Sequence, residues 1–245
     1  MKYFLLSISV VVVCVVSFSF KERGGNTLQV IFHHKVGDSD LVLGNMYVNP
    51  FGEELTITSF KYYLSNFHFH SKDLSKDFKI RNSYYFLNQA DESSLVLNFD
   101  LPPRSFSALS FMIGVDSIRN VSGVQSGALD PMNGMFWTWN TGYINAKLEG
   151  FSPASKNSRQ KVEYHIGGFR QRENTIKKIT IPLSEKDVMR NGSLMELHIN
   201  VDVNKWFKST HELKIADTSV VMTPGNLATK FADNYANMFS IAPQK

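Results

Sequence analysis

The chain has 245 residues, 43% of them hydrophobic, including 19 Phe and 9 Tyr, enough apolar material for one large domain or two small ones. Its single cysteine, Cys14, lies inside an apolar leader; with that leader removed, disulfides, Cys-ligated zinc and a thiolate nucleophile are excluded. The formal net charge of +4 comes from scattered rather than striped basic residues, so no nucleic-acid partner is expected.

In chain order, Met1-Lys2 gives a positive start, residues 3–16 are almost wholly apolar, and Ser17-Phe18-Ser19 offers small residues before a cut after Ser19. That three-part layout predicts a signal peptide over residues 1–19 and export to the periplasm or beyond the cell, with no membrane span in the mature chain. Lipid attachment at Cys14 would need a small residue before it, and Val13 is not small. A short lead over 20–27 and a single domain over 28–242 follow.

The mature sequence reads mostly in period two. Met195, Leu197, Ile199, Val201 and Val203 alternate with Glu196, His198, Asn200 and Asp202, the mark of a strand with one dry and one wet face. Leu28, Val30, Phe32 and His34 alternate with Gln29, Ile31 and His33 in the same way. Further runs fall at residues 55–69, 83–87, 95–99, 106–113, 143–148, 162–166 and 176–183, separated by turn residues such as Asn49-Pro50-Phe51-Gly52 and Leu101-Pro102-Pro103. Many short strands with such turns predict an all-β, antiparallel β-sandwich, jelly-roll-like in kind.

One helix is expected, at the C-terminal end. Thr223 can cap it, Pro224 suits its first turn, and Leu227, Phe231, Tyr235 and Met238 recur at helical spacing. The connection over residues 114–134 is long for a compact domain, and such loops are often functional. Asn120-Val121-Ser122 and Asn191-Gly192-Ser193 fit glycosylation sequons, relevant only in a eukaryotic source.

The most informative segment is Met135-Phe136-Trp137-Thr138-Trp139-Asn140-Thr141-Gly142-Tyr143. Two Trp residues two apart on a strand would present both rings to one face. They can be core, can stack on a sugar or peptide, or can border a soft-metal site in which thioether and imidazole suit Cu(I). Among the seven histidines, His34 extends a dry strand face, and His165 shares a face with Glu163 just before Gly167-Gly168. Each can be a hydrogen-bonded structural residue or a metal ligand. His68 and His70 face the same side of a strand opposite Phe67 and Phe69, so they form a solvated pair that can also chelate.

Signals for catalysis are absent. Gly123-Val124-Gln125-Ser126-Gly127 has the wrong spacing for a nucleophile elbow, and there is no phosphate loop, dinucleotide fingerprint or His-Glu-x-x-His. Asp38-Ser39-Asp40 and Asp130-Pro131-Met132-Asn133-Gly134 do not match an EF-hand and read as turns.

With these residues in view, the chain resembles the MbnP-like family of periplasmic copper-binding proteins. Phe32-His33-His34-Lys35-Val36-Gly37, Phe60-Lys61-Tyr62-Tyr63-Leu64-Ser65-Asn66, Gly127-Ala128-Leu129-Asp130-Pro131 and Tyr164-His165-Ile166-Gly167-Gly168 carry the likeness, together with the Met-x-Trp-x-Trp-x-x-Gly-Tyr element at 135–143. The resemblance implies a β-sandwich-like fold and a copper site of imidazoles with a tryptophan-derived ligand, formed in some relatives when a partner diheme peroxidase oxidises a Trp to kynurenine. Trp137 and Trp139 are the matching positions. The chain departs from the pattern in carrying Phe136, not His, beside Trp137, so copper would recruit His34 or His165 from other strands, with Met135. The resulting expectation is an exported copper-handling protein without turnover, with metal ligands His34, His165, Trp137, Trp139 and Met135. The alternative is a surface module that binds a glycan or peptide through the Trp pair.

Overall fold

The computed structural model describes residues 26–243 apart from 103–104, 124, 140–141 and 192–193. The expected signal peptide, nearly all of the short lead, and the sequon at 191–193 lie wholly or partly outside the described residues.

Two sheets face each other as a sandwich. The first runs in the order Val188–Asn191, Leu194–Asp202, Asn26–Val36 and Ser39–Asp40, with Phe239–Ile241 and Val96–Leu101 pairing its inner members. The second runs Lys177–Pro182, Ala108–Ile113, Glu54–His70, Gly142–Phe151, Lys161–Gly167 and Val220–Val221, with short strands added to Glu54–His70 and to Gly142–Phe151. Most pairings are antiparallel. Asn26–Val36 on Leu194–Asp202 and Val220–Val221 on Lys161–Gly167 are parallel, which is possible because long stretches of chain connect those partners.

The period-two reading holds in the two long paired strands of the first sheet. Val30 pairs Leu197, Phe32 pairs Ile199 and His34 pairs Val201, so both strands turn their dry faces inward together. Glu54–His70 departs from simple alternation. Its register shifts beside Glu149/Gly150 of the neighbouring strand and again between Ser65 and His68, where Asn66 takes a left-handed φ of 54°. Each irregularity acts as a β-bulge that resets which residues face inward. The buried inner set is therefore Leu55 and Ile57, then Phe60, Tyr62 and Leu64, then Phe67 and Phe69.

Aromatic rings fill the space between the sheets. Phe67 stacks on Phe111 with centroids 5.2 Å apart, and Phe32 meets Phe111 edge-on at 6.4 Å. Each fully buried Phe contributes roughly 1.5–3 kcal/mol, so a core of this kind needs no disulfide.

The C-terminal helix spans Asn226–Tyr235 with Gly225 at its N-cap, two residues later than Thr223 and Pro224 predicted. Ala228, Phe231, Ala232 and Tyr235 form its buried stripe, whereas Leu227 is partly exposed. A five-residue helix, Ser117–Val121, lies in the long connection. Among the described residues no helix is long and apolar enough to cross a membrane.

Candidate metal centre

The long connection folds back over the outer face of the second sheet. Two buried asparagines fasten it. Asn120 donates to the carbonyls of Val115 (2.6 Å) and Asp116 (3.0 Å) and accepts from the Tyr143 amide (2.8 Å). Asn145 accepts from the Val115 amide (3.0 Å) and donates to Thr175 Oγ1 (2.8 Å). The Tyr143 hydroxyl donates to the Leu129 carbonyl at 2.8 Å. Asn120 is 2% exposed with its amide fully engaged, so the expected sequon at 120–122 offers no acceptor for a glycan.

This fastening creates a second small core of Tyr63, Val115, Leu129, Met135, Trp137, Tyr143 and Ile144. Met135 is wholly buried in it. Phe136–Trp137 forms a short strand against Gly142–Phe151, with Trp137 opposite Gly142, and the chain turns at Thr138 and Trp139. The two indoles touch at 5.6 Å, tilted by 45°, but Trp137 is 5% exposed and Trp139 62%. They do not make the flat two-ring face expected of a strand, because the strand ends before Trp139. That arrangement does not favour a stacking platform for a glycan or peptide.

Trp137 lies against Gly167. A Cβ at that glycine would come within 2.7 Å of Trp137 Cζ3 and 2.6 Å of the Tyr143 carbonyl oxygen, so only glycine fits. Among the described residues the buried Trp137 Nε1 has no hydrogen-bond partner. An orphaned buried donor is uncommon and calls for an explanation.

His165 lies two residues before Gly167 on the same face of its strand, about 7 Å along the backbone. Its Nε2 is 2.6 Å from Glu149 Oε1, and its Nδ1 has no partner among the described residues. The hydrogen bond with His165 holds the Glu149 carboxyl at about 2, below the usual range, with Lys147 helping against the opposing effect of burial. Lys147 in turn donates to the Gly134 carbonyl at 2.8 Å. A carboxylate behind one imidazole nitrogen is the usual support for a metal ligand, since it orients the ring and leaves the other nitrogen free. The free imidazole nitrogen of His165 is a donor that suits copper, whereas the indole nitrogen, which carries a proton, is not a ligand as it stands.

His34 is not part of this group. It rests against Phe60 (4.8 Å) and Tyr62 (5.4 Å), which line the inner face of the second sheet. His165 pairs Lys147, which pairs Lys61, and these three share the outer face. The second sheet therefore separates the two imidazoles, and they do not meet around one pocket. Both His34 nitrogens are engaged. Gln89 donates its amide to the Leu41 carbonyl (2.7 Å), so its Oε1 accepts from His34 Nδ1 (2.6 Å), leaving His34 Nε2 to accept from the Tyr62 hydroxyl (2.8 Å). Burial pushes the His34 pKa down to about 4, so the ring is neutral.

Two further histidine groups emerge. His33 and His198 stack on the wet face of the first sheet, with Nε2 and Nδ1 2.8 Å apart. His68 and His70 converge on Asp77 on the outer side of the second sheet. Asp77 carries no metal signature in sequence; only the turn-forming run Asp73-Leu74-Ser75-Lys76-Asp77 hints that the chain returns beside the histidines.

These features define a β-sandwich with histidine groups on the outer faces of both sheets, two of them on the second. The family model of MbnP matches residues 25–223, and the chain belongs to that family. In fold it is similar to MbnP from Methylosinus trichosporium, with 14% identity, 76% of this chain and 78% of that chain covered, and a TM-score of 0.53. No curated protein matches.

Proposed function

We propose that this chain is an exported copper-handling protein without turnover of its own, and that its copper site lies on the outer face of the second sheet around His165 and Trp137. The observation that carries this reading is a buried Trp137 Nε1, unpartnered among the described residues, whose ring packs on Gly167 two strand positions from an imidazole backed by a carboxylate. Family membership supports the association with copper. His165 Nδ1 supplies the imidazole donor and Glu149 orients it; Met135, buried in the same small core as Trp137, offers a soft thioether, and the exposed Trp139 touches Trp137. Copper bound there would be held rather than cycled, as a soft, low-coordinate ion.

Unmodified indole is a poor ligand. Opening the Trp137 ring to kynurenine would put an aryl amine and a ketone where the orphaned nitrogen now sits. By family resemblance a diheme peroxidase is the oxidising partner, and the exposed Trp139 in contact with Trp137 gives such a partner a surface to address.

The test is a Cu(I) titration of the purified protein against a competing chelator, before and after mass analysis of the peptide containing Trp137. We expect one tight equivalent that H165A removes and H34A leaves in place. Binding that survives H165A would refute the site.

A further inference from the structure

We propose that His68, His70 and Asp77 form a metal site of their own, suited to a divalent transition ion such as Zn(II) or Cu(II). It stands apart from the copper reading above and does not depend on it.

The bulge at Asn66 sets the geometry. It turns Phe67 and Phe69 inward, where they pack on Phe99 at 4.9 and 5.4 Å, and leaves His68 and His70 side by side on the outer face with ring centroids 3.8 Å apart. Two buried anchors thus fix the backbone that carries both imidazoles. The chain then makes a tight turn over Leu74–Lys76 and returns as Phe78–Lys79, paired with Phe69 and His68. That return delivers Asp77. Its Oδ1 accepts from the Ser71 amide at 2.9 Å, which leaves Oδ2 turned toward the histidines.

Asp77 Oδ2 lies 2.8 Å from His68 Nε2 and 3.5 Å from His70 Nδ1, and the three donor atoms lie within 4.8 Å of one another. A tetrahedral ion with bonds near 2.0–2.2 Å needs donors about 3.3–3.5 Å apart, so small side-chain rotations open the cluster to the required size. His68 Nε2 is buried, and its 2.8 Å contact with Asp77 Oδ2 is poorly aligned for a hydrogen bond. The opposite nitrogen of His70, Nε2, meets Ser110 Oγ at 2.8 Å, and Ser110 is 1% exposed. This contact can fix the His70 tautomer with Nδ1 bare, as the second layer of a metal site does.

Two imidazoles and one carboxylate without sulfur favour a divalent, borderline ion over Cu(I). The side chains are 16%, 24% and 16% exposed for His68, His70 and Asp77, so an ion can enter and a water can complete its shell. Lys79, which faces His68 across the strand pair, weakens the field for a cation, and affinity here comes from coordination rather than from net charge.

The experiment titrates the full, tag-free protein with Co(II) and then Zn(II). Co(II) should give the visible bands of a low-coordinate nitrogen–oxygen site, and Zn(II) should displace it at one equivalent. H68A and D77N should each weaken Zn(II) on the order of 100-fold, and S110A roughly 10-fold, while H165A leaves Zn(II) binding unchanged. D77N keeps an acceptor for the Ser71 amide, so metal-free thermal unfolding should stay close to that of the parent and separate lost ligation from lost fold. Failure to bind one Zn(II), or binding indifferent to both H68A and D77N, would overturn the assignment. The copper reading stands or falls separately, on Cu(I) and H165A.

Discussion

His34 and Tyr62, one from each sheet, share a 2.8 Å hydrogen bond across the interior of the sandwich. Because His34 must stay neutral to accept it, this bond ties the stability of the fold to pH. Unfolded, the ring titrates near 6.5; folded, burial lowers its pKa to about 4. Between those values the unfolded chain binds the extra proton, so stability present above pH 6.5 is lost as pH falls through 4. The loss approaches ~3 kcal/mol. Urea unfolding at pH 7 and pH 4.5 should show this slope in the parent and a flatter one in H34Q; equal slopes would mean that His34 is not the sensor.

Glu149 acts in the same direction at lower pH. Its carboxyl, held at about 2 mainly by the hydrogen bond with His165, contributes stability above its ordinary range that is lost as pH falls toward 2. E149Q should cost ~1 kcal/mol near neutrality. If His165 ligates copper, the same change should weaken Cu(I) by about 10–100-fold, a loss that a purely structural role would not produce.

Gly167 is the seat of Trp137. G167A would drive a methyl into the indole and the Tyr143 carbonyl, and overpacking of this kind costs about 1–3 kcal/mol. Trp137 should then be pushed toward water. A red-shifted emission with greater acrylamide quenching is the expected readout; an unchanged spectrum would show that the ring has room to yield.

Asn120 fastens the long connection through two donated hydrogen bonds and one accepted one. N120A leaves the Tyr143 amide and the Val115 carbonyl without that partner, at ~1–3 kcal/mol for each group left unsatisfied. Amide exchange over residues 114–134 should quicken more than exchange in the sandwich core.

How much of this was legible in the sequence varied with the range of the interaction. Alternation located Asn26–Val36 and Leu194–Asp202 to within a residue or two and assigned His34 to a dry face. It could not say what stands opposite His34, because Tyr62 and Gln89 arrive through sheet pairing that has no local signature. Helical spacing found the Phe231 and Tyr235 stripe but began the helix too early, at Thr223, since Gly225 supplies the turn into it instead. The Trp pair was visible and the split between a buried and an exposed ring was not, because the strand carrying it is only two residues long. Asp77 was missed as the third member of a histidine cluster because it comes back only after a turn.

The bulge at Asn66 has a consequence for how this protein can change. It works as a phase setter within one continuous strand, keeping phenylalanines indoors and histidines outdoors. Straightening the strand with that residue kept in line would exchange the two sets, sending imidazoles into the hydrocarbon interior and aromatic rings into water. Deleting it would instead match the two-residue step of the neighbouring strand and leave both sets where they are. Mutational drift can therefore alter the outward chemistry at 68 and 70 one residue at a time, and the strand can lose its bulge residue there without exchanging its faces.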